Sequence, residues 1–386
     1  MEKSGQMKKI GILTEYYESL NYGGTLQAYA LCKVLNNMGY DTEQIPYLKS
    51  EELRLLKENQ IQFSMSKRLN PIYLRRRFIS YCLNRKLKRK MEGRQRKFAD
   101  FRETMIPHSN YVYDDDTLKE CAGYDDYVVG SDQVWNPNFH HPGYMLSFVG
   151  KEKKKISYAA SLGIQNLTNE QKDFFRNNLG GFDAISVREE DAVDLLQELT
   201  QVKIEQVLDP TLLLEQEQWN EICTNCRIEE KYIFAYYLGD DLKQRRITEE
   251  FAKKNNLKIV FIPHISGNYR ICDKEFGDIR LYDVSPGEFV TLIRNAEYVF
   301  TDSFHAVVFS GIYHKQFFVF TRTEYKTMSS RIYSITNLFG AETHFCDAQE
   351  RQKLQYIENV ENIKYEKMEE LVFMKKKSLD FLKKNL

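Results

Sequence analysis

The residue with the clearest chemical potential is His305, in the segment Thr301-Asp-Ser-Phe-His-Ala306. An apolar run that predicts a strand precedes this segment, and a run that predicts a helix follows it. A histidine at a helix N-terminus can bind an anion or transfer a proton, and the backbone amides that begin at Ser303 favour a negative ligand. We therefore predict a catalytic role for His305 and a substrate contact for Ser303. The alternative is a helix start that Asp302 merely caps.

A second polar segment, Gly130-Ser-Asp-Gln-Val-Trp-Asn-Pro137, also follows a predicted strand. Ser131, Asp132 and Gln133 are expected to project from the strand end into a cleft, where a carboxylate can act as a base. Trp135 is expected to stack on a flat ligand such as a sugar. The alternative interpretation makes Asp132 a cap and Trp135 a core residue.

Two guanidinium groups complete the set of charged candidates. Arg188 lies between a predicted strand and a predicted helix in Ser186-Val-Arg-Glu-Glu190, where it can grip a carboxylate or phosphate with two parallel hydrogen bonds. The alternative is a salt bridge with a neighbouring acid on a surface helix. Arg331, in Ser329-Ser-Arg331, is predicted at a capped helix start as a further anion ligand.

A glycine pair opens the first predicted helix, in Asn21-Tyr-Gly-Gly-Thr-Leu-Gln27. Backbone amides near Asn21, Gly23 and Gly24 could receive an oxyanion or sugar hydroxyls at the helix N-terminus. The segment lacks the glycine spacing of a dinucleotide-binding loop or a P-loop. A purely structural turn is the alternative.

The elements that must position these residues follow an α/β pattern. In the first half, short apolar runs alternate with helical patterns, which predicts a parallel sheet with helices on its faces. The predicted strands are 9–14, 41–46, 124–130, 155–161, 184–187 and 205–208. A polar stretch over 214–230 is predicted to join this half to a second series. Its predicted strands are 232–238, 258–263, 298–302 and 316–320.

At 386 residues the chain exceeds the size at which one core keeps growing, so two domains are expected. We predict a first Rossmann-like domain over 1–215, on the acceptor side of the site, and a second over 216–365. A closing helix over 366–386 is expected to pack back on the first domain. The active site of such a fold lies in the cleft between the domains, at the carboxyl ends of the strands.

Bulk composition excludes several classes of function. Lys plus Arg and Asp plus Glu both number 55, which gives no reason to expect a nucleic-acid partner. Seven cysteines do not make a disulfide scaffold, and Cys223 and Cys226 lack the second pair of a zinc site. The first residues lack the apolar core of a signal peptide, and apolar runs stay below the length of a membrane span. A cytoplasmic protein without a metal or cofactor is expected.

A basic stretch is the one strong local charge imbalance. Between Lys67 and Lys97 there are thirteen Lys or Arg and a single acid, Glu92. Ile79, Leu83, Leu87 and Met91 make an apolar stripe within it. Such a helix can rest on an anionic membrane surface. The alternative, which we favour, packs it on the first domain with its basic face in water.

Together these segments resemble the polysaccharide pyruvyltransferase family. The matching pieces, in chain order, are NYGGTLQAYAL, GSDQVWNP, YAASLG, ISVREEDAV, VLDPTLLL, TDSFHAVVFSG and SRIYSITNL. The order and spacing of the pieces carry the resemblance, which covers most of the chain. It implies a glycosyltransferase-B-like fold, phosphoenolpyruvate as donor, a pyruvate ketal on a hexose as product, and no required metal.

The resemblance also implies residue roles. Arg188 and His305 carry over as donor ligands by motif position. Some members have an arginine and a leucine directly before the histidine, where this chain has Ser303 and Phe304. A donor-binding arginine is therefore missing from that place, and Arg331 is the candidate substitute.

These roles give a mechanism and two competing functions. His305 is expected to bind phosphate and protonate the leaving group, with Asp132 as base on the acceptor hydroxyl. The acceptor is expected to be a hexose, 4,6-linked in the ketal, on a lipid-linked or nucleotide-linked precursor. The alternatives are a sugar-nucleotide glycosyltransferase of the same architecture and a non-catalytic glycan-binding protein.

Overall fold

The computed structural model describes residues 7–50, 89, 91–138, 142–264, 270–322, 329–366 and 368–386. Two six-stranded sheets organise these residues, and every strand pairing in them is parallel. The basic stretch 67–97 lies mostly outside the described residues, which resume with a helix over 91–105.

The first sheet has the strand order β2-β1-β3-β4-β5-β6. Its central strands are buried on both faces, as apolar runs between two helical layers must be. The strands are β1 (Lys9–Leu13), β2 (Asp41–Gln44), β3 (Asp126–Val129), β4 (Lys155–Ala160), β5 (Ala184–Val187) and β6 (Ile204–Gln206).

The second sheet has the order β12-β11-β10-β7-β8-β9. Its centre is equally apolar, with every residue of β7 buried. The strands are β7 (Tyr232–Tyr236), β8 (Lys258–Phe261), β9 (Ile279–Arg280), β10 (Tyr298–Thr301), β11 (Gln316–Phe320) and β12 (Phe345–Cys346). The strand order reverses between β7 and β10, and in the first sheet between β1 and β3. In open α/β sheets, ligands bind outside the carboxyl ends of strands at such a reversal.

Helices cover both sheets. The helices in the first half are α1 (Tyr22–Asn37), α2 (91–105), α3 (Asn169–Leu179), α4 (Glu190–Gln197) and α5 (Gln216–Asn220). Those in the second half are α6 (Leu242–Lys254), α7 (Pro286–Asn295), α8 (Phe304–Ile312), α9 (Ser329–Leu338), α10 (Leu354–Asn359) and α11 (Glu369–Asn385). None of the helices described here has both the length and the apolar character needed to cross a membrane.

Helix α1 joins the two halves. Tyr22, in its first turn, stacks on Phe289 of α7 at 4.5 Å between ring centroids, and its hydroxyl donates to the Val284 carbonyl at 2.9 Å. The same ring meets Tyr236 of β7 at 5.8 Å. Since the ring is buried from both sides, α1 fixes the first half against the second, with its N-terminus in the gap between the two sheets.

The last helix, α11, lies against the first half. The hydroxyl of Ser378 accepts a hydrogen bond from the Leu208 amide at 2.9 Å, and Phe381 contacts Tyr158 of β4 at 6.3 Å between ring centroids. These contacts place the helix beside the end of β6, next to the segment that carries Asp209.

Candidate functional site

The centre of the site is Asp209, which follows β6 and is 1% exposed. Its Oδ1 accepts hydrogen bonds from the Thr211 amide at 3.0 Å and the Thr211 hydroxyl at 2.6 Å. Its Oδ2 faces Arg188 Nη1 at 2.9 Å, Ser131 Oγ at 3.2 Å and His305 Nε2 at 3.6 Å. One carboxylate therefore connects three separate stretches of chain.

Arg188, directly after β5, is surrounded by carboxylates. Besides Asp209, its guanidinium lies 3.4 Å from Asp132 Oδ1 and 3.4 Å from Glu189 Oε1, and it stands 4.5 Å from the Phe304 ring centroid. Burial alone would lower the pKa of Arg188, but Glu189, Asp132 and Asp209 together raise it above its ordinary value. The guanidinium is thus held permanently charged and fixed in orientation.

The pKa of Asp209 moves in the opposite direction. Burial alone would raise the pKa of this carboxyl group, but the adjacent His305 and Arg188 and the hydrogen bonds of Thr211 hold it well below its ordinary value. Asp209 is therefore a fixed anion between an imidazole and a guanidinium.

His305 lies in the first turn of α8, 7% exposed, with Nε2 turned toward Asp209. The other side of its ring rests on Gly23 of α1. A Cβ at position 23 would lie 2.0 Å from His305 Nδ1, so only glycine leaves room for the imidazole. The histidine comes from the second half of the chain, and Gly23 and Asp209 come from the first. The site therefore spans the gap between the sheets.

A cavity of about 160 Å³ opens beside this cluster. Arg188, Asp209 and Phe304 line it from one side, and Arg331 and Tyr333 of α9 line it from the other. Arg331 is 7% exposed, and burial, followed by the charges of Arg188 and Arg322, lowers its pKa to about 10. Tyr333 is 55% exposed and stands at the mouth.

The structure thus brings together five of the residues singled out in the sequence. They are Ser131, Asp132, Arg188, His305 and Arg331. Gly23 touches the cluster through its backbone. Gly24 also allows a close approach, because a Cβ there would lie 2.8 Å from the Glu15 carbonyl oxygen.

Trp135 requires a correction. It is 2% exposed in the core of the first half, packs against Phe175 and Phe182, and donates its indole N–H to the Tyr144 carbonyl at 3.1 Å. No face of this ring is open to a sugar. The exposed aromatic side chain at the cavity is Tyr333, which the sequence interpretation missed.

Three further candidates have local partners. Asn21 caps α1, with its Oδ1 accepting from the Gly23 amide at 3.0 Å, so that amide is already bonded. The Ser303 amide donates to Thr301 Oγ1 at 3.0 Å. Gln133 Oε1 accepts from Asn136 at 2.7 Å. Each of these contacts stabilises the loop or helix start that carries the residue.

Asp209 is the central residue that sequence reasoning missed. It lies in VLDPTLLL, three residues after β6, and Arg188 and His305 likewise follow strands. An acid at a strand end was the available signal, but the following proline is equally typical of a plain turn.

Two other predictions from the sequence, on the cysteine pair and on the basic stretch, concern residues outside the site. Cys223 and Cys226 are free and half-buried, and within the described ranges no group of His, Cys, Asp and Glu is suited to hold a metal ion. From the end of the basic stretch, Arg94 donates to the Tyr282 carbonyl at 2.7 Å and Lys97 pairs with Glu288 at 2.8 Å. These two cations face the second half of the chain.

Comparison with protein families gave one match: the polysaccharide pyruvyl transferase family, over residues 21–324. Among solved structures, the UDP-GlcNAc 2-epimerase of Methanocaldococcus jannaschii is similar with a TM-score of 0.51 and 14% identity, over 98% of this chain and 100% of that one. A putative UDP-N-acetylglucosamine 2-epimerase from Listeria monocytogenes gives 0.48 and 11%, over 99% and 92%. No curated protein sequence matches significantly.

At these identities the solved structures are informative about the fold alone. Together with the two parallel sheets, the similarity to the Methanocaldococcus jannaschii structure confirms the predicted pair of Rossmann-like domains in a glycosyltransferase-B-like arrangement.

Proposed function

Because the chain belongs to the polysaccharide pyruvyl transferase family, we propose that it moves the pyruvyl unit of phosphoenolpyruvate onto a hexose of a polysaccharide precursor. Two hydroxyls of the sugar become the oxygens of a pyruvate ketal, and inorganic phosphate is released. The observation that carries the proposal is that Arg188, Asp209 and Arg331 line one cavity between the two sheets, while His305 stands behind it, 3.6 Å from Asp209.

The charge balance of this cluster supports a division of labour among the cations. Arg188 already faces three carboxylates at 2.9–3.4 Å, whereas at Arg331 burial and the charges of Arg188 and Arg322 outweigh those of Glu189 and Asp132 and lower its pKa, which a bound anion would offset. We assign Arg331 and His305 to the donor anion. Arg188 holds Asp209 and Asp132 in place and adds positive charge behind the reacting carbon.

The chemistry has two steps. In the first, one sugar hydroxyl adds to C2 of the donor while C3 takes up a proton, and the hydroxyl proton passes to a base. In the second, another hydroxyl attacks C2 and loses its proton to a base, the C2–O bond to phosphate breaks, and the departing phosphate takes a proton from an acid. Asp132 is our candidate for the base and a protonated His305 for the acid, with Asp209 stabilising the imidazolium.

The acceptor is proposed to enter past Tyr333. An exposed phenol ring at the cavity mouth offers an apolar face on which a hexose can stack. Galactose or mannose, closing a six-membered 4,6-ketal, fits two hydroxyls reacting at one carbon. We place the reaction in the cytoplasm on a lipid-linked or nucleotide-linked precursor, with no metal or cofactor.

The direct test is phosphate release by the wild-type protein with phosphoenolpyruvate and a panel of galactosides and mannosides. Phosphate and a ketal detected by NMR, in equal amounts, are expected. His305→Ala should reduce the rate by about a hundredfold or more. His314→Asn, an exposed histidine just after the same helix, should leave it unchanged. Wild-type rates in His305→Ala would refute the assigned role.

The same assay separates the two competing functions. A sugar-nucleotide glycosyltransferase would instead consume a UDP-sugar and be indifferent to phosphoenolpyruvate. A glycan-binding protein would bind the panel sugars without releasing phosphate.

A further inference from the structure

A second group of cations lies at the carboxyl edge of the second sheet. Arg322 follows β11, and His264 and Arg270 follow β8. Arg94 of α2 approaches the same edge from the first half of the chain, where both of its terminal nitrogens donate to the Pro263 carbonyl at 3.3 Å. These four residues are called the second-sheet basic cluster below.

The loop after β7 holds the cluster together. Arg270 Nη1 donates to the Leu238 carbonyl, while the amides of Leu238 and Gly239 donate to the two carboxylate oxygens of Asp302, both at 2.7 Å. Arg322 Nη2 donates to the backbone carbonyl of Asp302 at 2.9 Å, and its Nε lies 3.6 Å from the carboxylate. Asp302 is thus already committed to two amides.

Within the described ranges, the hydrogen-bond acceptors of the other two guanidinium groups are neutral. Arg94, only 3% exposed, has its nitrogens on the carbonyls of Tyr282 and Pro263. Arg270 bonds the carbonyl of Leu238. Carbonyl groups satisfy hydrogen bonds without cancelling charge. Among the residues described at this edge, the three guanidinium groups make one ion pair, between Arg322 and Asp302, and the nearby Asp273 is already paired with Arg245.

The positive charge of the cluster lowers the pKa of neighbouring basic groups. Burial, and then the charges of Arg270, Arg322 and Arg94, lower the pKa of His264 to about 4. Arg322 is also among the charges that lower the pKa of Arg331, which lines the cavity. The charge of the cluster therefore reaches the cavity. The Arg322 side chain is 16% exposed and can be reached from solvent.

We propose that Arg322 and Arg270, backed by the buried Arg94, form a phosphate-binding subsite next to the cavity that Arg188 and Arg331 line. The inference rests on the proposed function for its substrates, which offer two sources of phosphate. One is the donor's own phosphate, and the other is a phosphate that links the acceptor sugar to its carrier. The two outer guanidinium groups would take phosphate oxygens while the inner one supplies fixed charge.

The subsite is tested first by calorimetric titration of inorganic pyrophosphate into the intact protein. Arg322→Gln and Arg270→Gln should each weaken binding by about tenfold, the loss expected from one charge-assisted hydrogen bond. Arg246→Gln, an exposed arginine on α6, is the matched control and should bind as wild type does. Thermal unfolding of each variant checks that the fold is kept. Undetectable binding by wild type, or equal affinity in all four proteins, would overturn the proposal.

Kinetics then identify the source of the phosphate. A rise in KM for phosphoenolpyruvate in Arg322→Gln points to the donor, whereas a rise in KM only for a phosphorylated acceptor points to the carrier. Unchanged KM for both substrates overturns the role in substrate binding. If wild type releases no phosphate from phosphoenolpyruvate while pyrophosphate binding still depends on Arg322, the proposed function fails and the subsite stands.

Discussion

At the carboxyl edge of the first sheet, Arg188 meets Asp132, Glu189 and Asp209 at 2.9–3.4 Å. At the corresponding edge of the second sheet, Arg322 lies beside Asp302, which two amides already occupy. Both edges carry arginine, yet Arg188 at the first is balanced by carboxylates, whereas the described arginines at the second are bonded mainly to neutral carbonyls.

The difference matters for anion binding. A bound anion adds little electrostatic stabilisation to a buried ion network that is already neutral, whereas it strongly stabilises a group of cations without enough counter-charge. The balanced edge is suited to holding Asp209, Asp132 and His305 in fixed positions for proton transfer. The unbalanced edge, together with Arg331, is suited to attracting a phosphorylated substrate. From their positions in the sequence alone, Arg188 and Arg331 were both predicted to be anion ligands.

The largest effect is expected from removing the central anion of the balanced edge. Asp209→Asn leaves Arg188 and His305 with less compensation in a buried site, so the free energy of unfolding should fall by about 3 kcal/mol. Urea denaturation at pH 7 measures it. Asp173→Asn, which breaks an exposed pair with Arg176, should cost less than about 1 kcal/mol.

The pH dependence gives this prediction a sign. The pKa of Asp209 is lower in the folded chain than in the unfolded one, so its contribution is present above the unfolded pKa and is lost as the pH falls. The difference in the free energy of unfolding between wild type and Asp209→Asn should therefore become smaller below a pH of about 4. Equal stability of the two aspartate variants at pH 7 would show that the edge is not a balanced network.

A smaller effect is expected where the two halves touch. In Gly23→Ala the new methyl group would lie 2.0 Å from His305 Nδ1, so the imidazole must shift out of its present position. Turnover should fall by about tenfold or more, because proton transfer depends on that position. Gly180→Ala is the control, since its added methyl group meets nothing within 4 Å. Steady-state phosphate release measures both, and matching rates would contradict the placement of His305.

The smallest expected effect is on the pKa of His264, and it distinguishes the influence of charge from that of burial at the carboxyl edge of the second sheet. The pKa values of His264 and His344 are both lowered to about 4, His264 by burial and three arginines, His344 by burial alone. Arg322→Gln should raise the pKa of His264 by less than about one unit and leave that of His344 unchanged. NMR titration of the imidazole protons measures both. Parallel shifts, or none, would place Arg322 away from His264.

Both imidazoles also affect stability. Each is harder to protonate in the folded chain than in the unfolded one, so the free energy of unfolding should fall as the pH drops below 6.5.

Much of the fold could be predicted because buried parallel strands are continuous apolar runs. The strand predicted over 316–320 coincides with Gln316–Phe320, and the helix predicted over 286–295 coincides with Pro286–Asn295. The two-residue strands Ile279–Arg280 and Phe345–Cys346 were missed, since so short a segment shows no period.

The site was harder to predict because its contacts join distant segments. Arg188 and His305 each follow a strand, which is a local signal, but their common partner Asp209 is 21 residues from Arg188 and follows a different strand. Trp135 was misplaced because an aromatic residue after a strand fits a core as well as a cleft. Only the packing of Phe175 and Phe182 against it decides the matter.

The central claim is that His305 and Arg331 together hold one small dianion in the gap between the two sheets. Calorimetric titration of phosphoenolpyruvate into wild type, without acceptor, tests it most directly. We predict one donor bound per chain, with affinity reduced by about tenfold or more in both His305→Ala and Arg331→Gln. Failure of wild type to bind, or undiminished affinity in the two variants, would contradict the account.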